Sequence, residues 1–136
     1  MRLLTFLVDS FRWTPFSRTL ETAPDAAGGA VEQAVVVFFH IEEADVGEGR
    51  SSVFRKTLKH IKWLANKREL KTIVLHSFAH LGGSSAEPEA ARAFIEELRE
   101  RLEATGYAVE VTPFGWFHQW SIDVRGESLA KVFKAF

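Results

Sequence analysis

The chain has 136 residues, of which 46% are apolar and 26% charged, and its net charge is −1. That is one domain's worth of an ordinary soluble sequence, and its overall charge selects neither a nucleic acid nor a strongly charged partner. Cysteine is absent, which excludes a disulfide framework and any thiol nucleophile and fits an intracellular, cytoplasmic setting.

The opening MRLLTFLVDS carries an apolar run that ends at Asp9. It is too short to span a membrane and has no small-residue cleavage pattern. Leu3 to Val8 is therefore read as a buried strand. Residues 9–30 hold Pro15, Pro24, Gly28 and Gly29 and read as a loop or irregular arm. QAVVVFFHI, residues 33–41, is β-branched and aromatic and predicts a second buried strand. EEADVGEGR reads as an acidic turn.

Phe54, Leu58, Ile61 and Ala65 then recur at helical spacing, with Ser51 or Ser52 available as N-cap. KTIVLHSF predicts a third strand. Ser84 and Glu87 have the spacing of a capping box, and Pro88 suits a first turn. Ala91, Phe94, Ile95, Leu98 and Leu102 form the stripe of a second helix, and Gly106 suits its stop. YAVEV alternates as a fourth strand. PFGWFHQWSIDV breaks and alternates again, with Trp116, His118, Trp120, Ile122 and Val124 on one face. Leu129, Val132, Phe133 and Phe136 suggest a final helix after Gly126. The predicted order is β-β-α-β-α-β-β-α, an α/β or α+β domain layered around one sheet, with α/β the preferred class. The last apolar stripe runs to Phe136, so 1–136 is read as a single domain that forms part of a longer chain.

No phosphate-binding P-loop, dinucleotide fingerprint, zinc-protease motif or serine elbow is present. Ser128 and Lys131 have the spacing of a Ser–Lys pair but sit at a predicted helix start, where capping is the preferred reading. His76 and His80 are four apart on a strand and loop rather than a helix. No cysteine or carboxylate completes a ligand set, so no metal site is expected. His80 follows the carboxyl end of a buried strand, where ligands gather in sheets with helical crossovers. Gly82 and Gly83 allow close backbone approach, and a helix start beyond them suits an anion. The alternative is a histidine that only satisfies loop backbone. His118, between Trp116 and Trp120, is either a buried hydrogen-bonded histidine or the polar group of an aromatic pocket. Residues 55–71 hold Arg55, Lys56, Lys59, Lys62, Lys67, Arg68 and Lys71 against Glu69. A solvated helix face is preferred there over a phosphate-tracking one.

SFAHLGGSSAEPEAA and TPFGWFHQWSIDVRGESLAKVF together resemble the N-terminal editing domain of archaeal threonyl-tRNA synthetases. The shared features are the Phe78–Leu81 loop, the Pro113–Phe117 segment, and the strand, glycine turn and Leu-Ala helix after it. Val8-Asp9-Ser10 stands where relatives place a His-Ser-Asp-like segment. The resemblance implies the fold of D-aminoacyl-tRNA deacylases and a homodimer. It also implies hydrolysis of serine wrongly esterified to threonine tRNA, with the terminal ribose 2′-OH assisting the attacking water and no cofactor. Binding alone separates amino acids differing by one methyl group poorly, by about 10–200-fold.

Carried over by position, His118 and His80 are the catalytic candidates. Ala79 would offer backbone groups, Ile41 would approach the terminal adenosine, and Phe78, Phe114, Gly115 and Phe117 would wall the pocket. Lys131 is a further substrate-binding candidate. Many relatives carry lysine at the His118 position, and some a carboxylate at that of Lys131. The implied partners are the 3′ end of tRNA(Thr) carrying serine, a second copy, and a synthetase catalytic domain. The rival readings are a D-aminoacyl-tRNA deacylase, a non-catalytic tRNA-binding module using the basic helix, and a small-molecule sensor.

Overall fold

The computed structural model describes residues 1–136. Its strands are β1 (Arg2–Arg18), β2 (Gly29–His40), β3 (Thr72–Ser77), β4 (Ala108–Val111), β5 (Trp116–Val124) and β6 (Lys131–Ala135). Its helices are α1 (Arg50–Lys67) and α2 (Pro88–Glu103), with short 3-10 turns at Glu43–Val46 and Ser128–Ala130. The six strands form one sheet in the order β4-β3-β2-β1-β5, with β6 also paired to β1. The α/β class holds, and no helix is long and apolar enough to cross a membrane.

β2, β3 and β4 are parallel, and the crossovers between them are α1 and α2. Both helices lie on one face, where Val35, Val37, Phe39 and Ile41 meet Phe54, Leu58 and Ile61 of α1 and Phe94, Leu98 and Leu102 of α2. The alternate residues Val36 and Phe38 face the other side, with Phe11, Trp13 and Val74. A strand buried on both faces must be apolar at every position, which is why VVVFF reads as a continuous run.

β1 is much longer than Leu3–Val8. Its first half pairs with β6 and its second half with β5, while β2 runs along its other edge. Of the loop expected over 9–30, residues 9–18 and 29–30 are therefore strand. Pro15 is accommodated opposite His118 beside an irregularity in the ladder, where a missing N–H costs least. A second irregularity between Val8 and Ser10 inserts one residue, so Val8 and Phe11 bury on the same face despite odd spacing.

The expected C-terminal helix is not formed. Ser128–Ala130 makes one 3-10 turn, and Lys131–Ala135 pairs antiparallel with Arg2–Phe6. An apolar strand edge leaves a row of unmet N–H and C=O groups. Pairing satisfies them, aided by Thr5 Oγ1 donating to Val132 O at 3.0 Å. The Leu129–Phe136 spacing therefore lost to a tertiary demand.

Two caps also differ from expectation. Ser51 and Ser52 lie inside α1, which begins after Gly49. Ser84 does not cap α2, which begins at Pro88 after Glu87; its Oγ instead accepts from Glu43 N–H, at the start of the first 3-10 turn, at 3.3 Å.

Candidate functional site

A cavity of about 390 Å³ opens at the carboxyl ends of β2 and β3. The loop after β3 forms one wall and is stitched to the end of β2. Phe78 N–H donates to Phe39 O at 2.9 Å, Leu81 N–H to His40 Nδ1 at 3.2 Å, and Ala86 N–H to Ile41 O at 3.0 Å. Gly82 has its place because the loop passes close to other groups: a Cβ there would meet Arg2 Nε at 2.8 Å and Glu42 Oε2 at 3.0 Å. The opposite wall is the start of β5 and the turn before it. Gly115 sits at φ +84°, and its carbonyl accepts from Thr19 N–H at 2.8 Å and Leu20 N–H at 3.2 Å. A side chain at Gly115 would be strained by that φ and would press on Ala23 and Leu20.

Between the walls runs an aromatic cluster. Phe38 lies 4.7 Å from the His76 ring, 5.5 Å from Phe78 and 4.8 Å from Trp120. His118 lies 5.4 Å from His76, and His80 lies 5.3 Å from Phe78. Phe114 is held by the Arg92 guanidinium, 5.4 Å over its ring.

Ile41, Phe78, Ala79, His80, Phe114, Gly115, Phe117 and His118 all line this one cavity. Lys131 does not. It lies on β6 opposite Phe6, and its Nζ donates to Arg125 O at 2.9 Å. That placement follows from the C-terminal segment pairing as a strand. Ser128 lies in the turn before it and is no helix cap.

Three histidines decide what the cavity can do. His40 Nδ1 accepts from Leu81 N–H, so the neutral ring carries its hydrogen on Nε2. That hydrogen points at Ser85 Oγ, 2.9 Å away. His40 therefore donates to Ser85 and does not withdraw its proton, so the pair is not an activated nucleophile. The Ser85 hydroxyl hydrogen is left for an occupant of the cavity.

His76 is buried, and its Nδ1 is 2.9 Å from Thr112 Oγ1. Burial first, and the neighbouring His118 second, push its pKa down to about 3, so it is neutral at ordinary pH. His118 differs: neither ring nitrogen has a hydrogen-bond partner, and both are shielded from solvent. Burial lowers its pKa as well. A neutral imidazole with one donor and one acceptor unspent, in an aromatic cavity, is a place for a polar ligand group.

The α2 N-terminus contributes less than a helix start ordinarily would. Pro88 removes one N–H, and Glu89 brings a negative charge into the first turn. No group of three His, Cys, Asp or Glu side chains is placed to hold a metal ion. His76 turns into the sheet's second face, while His80 stays on the exposed loop.

Sequence reasoning missed His40, Ser85 and Thr112 as cavity residues and named His76 without placing it there, while Trp120 lines the cavity as expected. Trp120 was legible from its alternation with His118. His40 had no local signal, because its role depends on a loop 41 residues away.

The profile described as the archaea-specific editing domain of threonyl-tRNA synthetase matches residues 1–136. Similar proteins include threonine–tRNA ligases of Nitrosopumilus maritimus, 31% identical over 98% of this chain and 21% of that protein, and Staphylothermus marinus, 30% identical over 98% and 22%. The chain thus spans about a fifth of the length of these relatives. Among solved structures, a c-Myc DNA Unwinding Element Binding Protein superposes with TM-score 0.65, covering 100% of this chain and 99% of that one at 16% identity, a likeness of fold alone. With the family profile spanning the whole chain, the chain belongs to the family of the archaea-specific editing domain of threonyl-tRNA synthetase.

Proposed function

We propose that the cavity hydrolyses the ester of L-serine wrongly joined to tRNA(Thr). The observation that carries this reading is His118, a lining residue with neither ring nitrogen hydrogen-bonded, in an aromatic cavity that holds no activated nucleophile. A site without a protein nucleophile suits a reaction in which water attacks. Water adds to the ester carbonyl, the tetrahedral intermediate expels the ribose 3′-oxygen, and that oxygen takes a proton, giving serine and free tRNA. The neighbouring ribose 2′-OH assists the water. The chain's residues position the ester and offer donors to the developing oxyanion.

In this reading Ala79 and His80 hold the seryl moiety, and Ile41 approaches the terminal adenosine. Phe78, Phe114, Gly115 and Phe117 enclose the group, and His118 stands beside the scissile bond. Lys131, away from the cavity, has no direct part. No cofactor is required. The protein works in the cytoplasm as a homodimer, with the synthetase catalytic domain as the source of its substrate.

The chain is expected to deacylate Ser-tRNA(Thr) at least about tenfold faster than Thr-tRNA(Thr), since one methyl group in a closed pocket changes binding by about 1–3 kcal/mol. Equal rates would overturn the discrimination. Faster hydrolysis of a D-aminoacyl-tRNA would favour the D-aminoacyl-tRNA deacylase reading instead.

His118→Ala separates positioning from proton transfer. A positioning role predicts a fall in kcat of about tenfold or less. Loss of a general base costs about 10²–10⁴-fold. The variant is expected to fold normally, because it leaves no new orphaned partner: neither His118 nitrogen is bonded in the parent. A rate loss beyond about 10²-fold in a folded variant would contradict an RNA-assisted mechanism.

A further inference from the structure

A second concave region lies between α1 and β6. It encloses about 490 Å³ and is lined by Lys56, Lys59, His60, Trp63, Lys134 and Phe136 together with Val132. A neighbouring hollow of about 410 Å³ shares Lys59 and Trp63 and adds Arg55, Leu58 and Lys62. Trp63 belongs to both hollows and is 46% exposed, unusual for so large an apolar ring. Lys67 Nζ lies 5.7 Å over the same ring.

The cations here are unspent. Arg50, Arg68, Arg99 and Arg125 each hold a carboxylate elsewhere on the surface. None of Arg55, Lys56, Lys59, Lys62, Lys67 and Lys134 has a carboxylate partner within 4.0 Å, and no Asp or Glu lines either hollow. In a chain of net charge −1 this is strong local segregation. The groove wall holds a further unspent group. His60 is only 8% exposed, its Nε2 has no partner, and its ring stacks against Trp63 at 6.1 Å and 26°.

This face is also near the cavity. Arg2 of β1 pairs with His40 on one side and Ala135 on the other. His40 lines the cavity, and Ala135 lies between the groove residues Lys134 and Phe136. Strands about 4.8 Å apart put those two backbones roughly 10 Å from one another across β1.

We propose that this face binds RNA, its lysines taking backbone phosphates and Trp63 stacking an unpaired base, so that it holds the same tRNA whose 3′ end enters the cavity. The proposal rests on the editing reading for the identity of the RNA. The recognition itself follows from the groove. Cations without carboxylates favour a polyanion, and an exposed aromatic ring set among cations is how proteins hold an unpaired base.

The test is fluorescence anisotropy with the 136-residue chain, using an unesterified tRNA transcript and a short labelled oligouridylate at 50–200 mM salt. Replacing three phosphate contacts in Lys56→Gln/Lys59→Gln/Lys134→Gln should reduce the slope of log K against log salt by about 2–3, and affinity near 100 mM salt by about tenfold or more. Trp63→Ala should weaken binding by about 5- to 150-fold with the slope unchanged, and Trp63→Phe should restore most of it. These side chains are exposed or at the groove rim, so circular dichroism should show the parent fold. Hydrolysis of seryl-adenosine, too short to reach the groove, should be unaltered in all three variants.

Unchanged affinity and slope in the triple variant, or an unaltered affinity in Trp63→Ala, overturns the proposal. So does unchanged RNA binding with altered sedimentation, which would assign the face to a second copy. A parent chain that binds RNA through the groove but hydrolyses no seryl ester would overturn the editing reading and leave the groove standing.

Discussion

Replacing Phe38 with alanine is expected to lower stability by about 3–5 kcal/mol, a large fraction of the roughly 5–15 kcal/mol available to a domain. Phe38 is 4% exposed and stands at the centre of the aromatic cluster. Its ring lies 5.6 Å from Phe6, 6.2 Å from Phe11, 4.7 Å from His76, 5.5 Å from Phe78 and 4.8 Å from Trp120. Truncation removes buried apolar area and leaves a cavity that residues from three strands and a loop cannot jointly collapse into. The same loss should slacken the cavity's inner wall, because His76, Phe78 and Trp120 all rest on this ring. Urea unfolding of Phe38→Ala and Phe38→Leu checks it, with the leucine variant losing clearly less. A loss under about 1 kcal/mol for the alanine variant would show that the cluster does not hold the second face together.

Mild acid is expected to destabilise the chain before its carboxylates titrate. His76 is held neutral down to about pH 3, by burial first and by His118 second. His118 is shifted the same way by burial, and His60 by burial and then Lys134. An unfolded histidine takes up a proton near pH 6.5. Below that pH the unfolded chain binds protons that the folded chain refuses, so unfolding is favoured progressively as pH falls. The stabilisation is complete above about 6.5, and for His76 it is lost down to about pH 3.

Each such histidine contributes a slope of up to about 1.4 kcal/mol per pH unit. The carboxyls of Glu96 and Glu127, held low by hydrogen bonds from Arg99 and Arg68, act only below their ordinary value of 4.5. The window from 6.5 to 4.5 therefore isolates the histidines. Melting temperature should fall across it in the parent. In His76→Phe, which adds one more ring to an aromatic environment, the fall should be shallower. A parent Tm independent of pH in that window would contradict the buried-neutral assignment.

Much of the site was legible because short-range patterns encode it. The alternation of Trp116, His118 and Trp120 requires that the histidine share a face with two indoles, wherever the strand lies. The Phe78–Leu81 loop follows a strand buried on both faces, so its position at a sheet end was implied by chain order. The helical stripes on either side of β3 were equally plain, since only one period fits Phe54-Leu58-Ile61 or Phe94-Ile95-Leu98. What failed were the segments where local signals and long-range pairing disagree. Pro15 argues for a break, yet β1 runs through it because β5 stays paired there, while the β2 ladder on the other side has already ended at Trp13. The Leu129–Phe136 spacing argues for a helix, yet the open edge of β1 takes residues 131–135 as a strand, and Lys131 is carried away from the cavity with them.

The amino-acid order alone therefore settled the α/β class, the two helices, the central strands and which residues share a face of β5. Those follow from periodicity, a property of neighbours in sequence. Tertiary structure alone decided that His118 has both nitrogens unspent while His40 and His76 have partners. It also decided that Trp63 lies between two cationic hollows. Those facts depend on which distant backbone N–H, hydroxyl or carboxylate comes within about 3–4 Å of a side chain, and no local pattern specifies that.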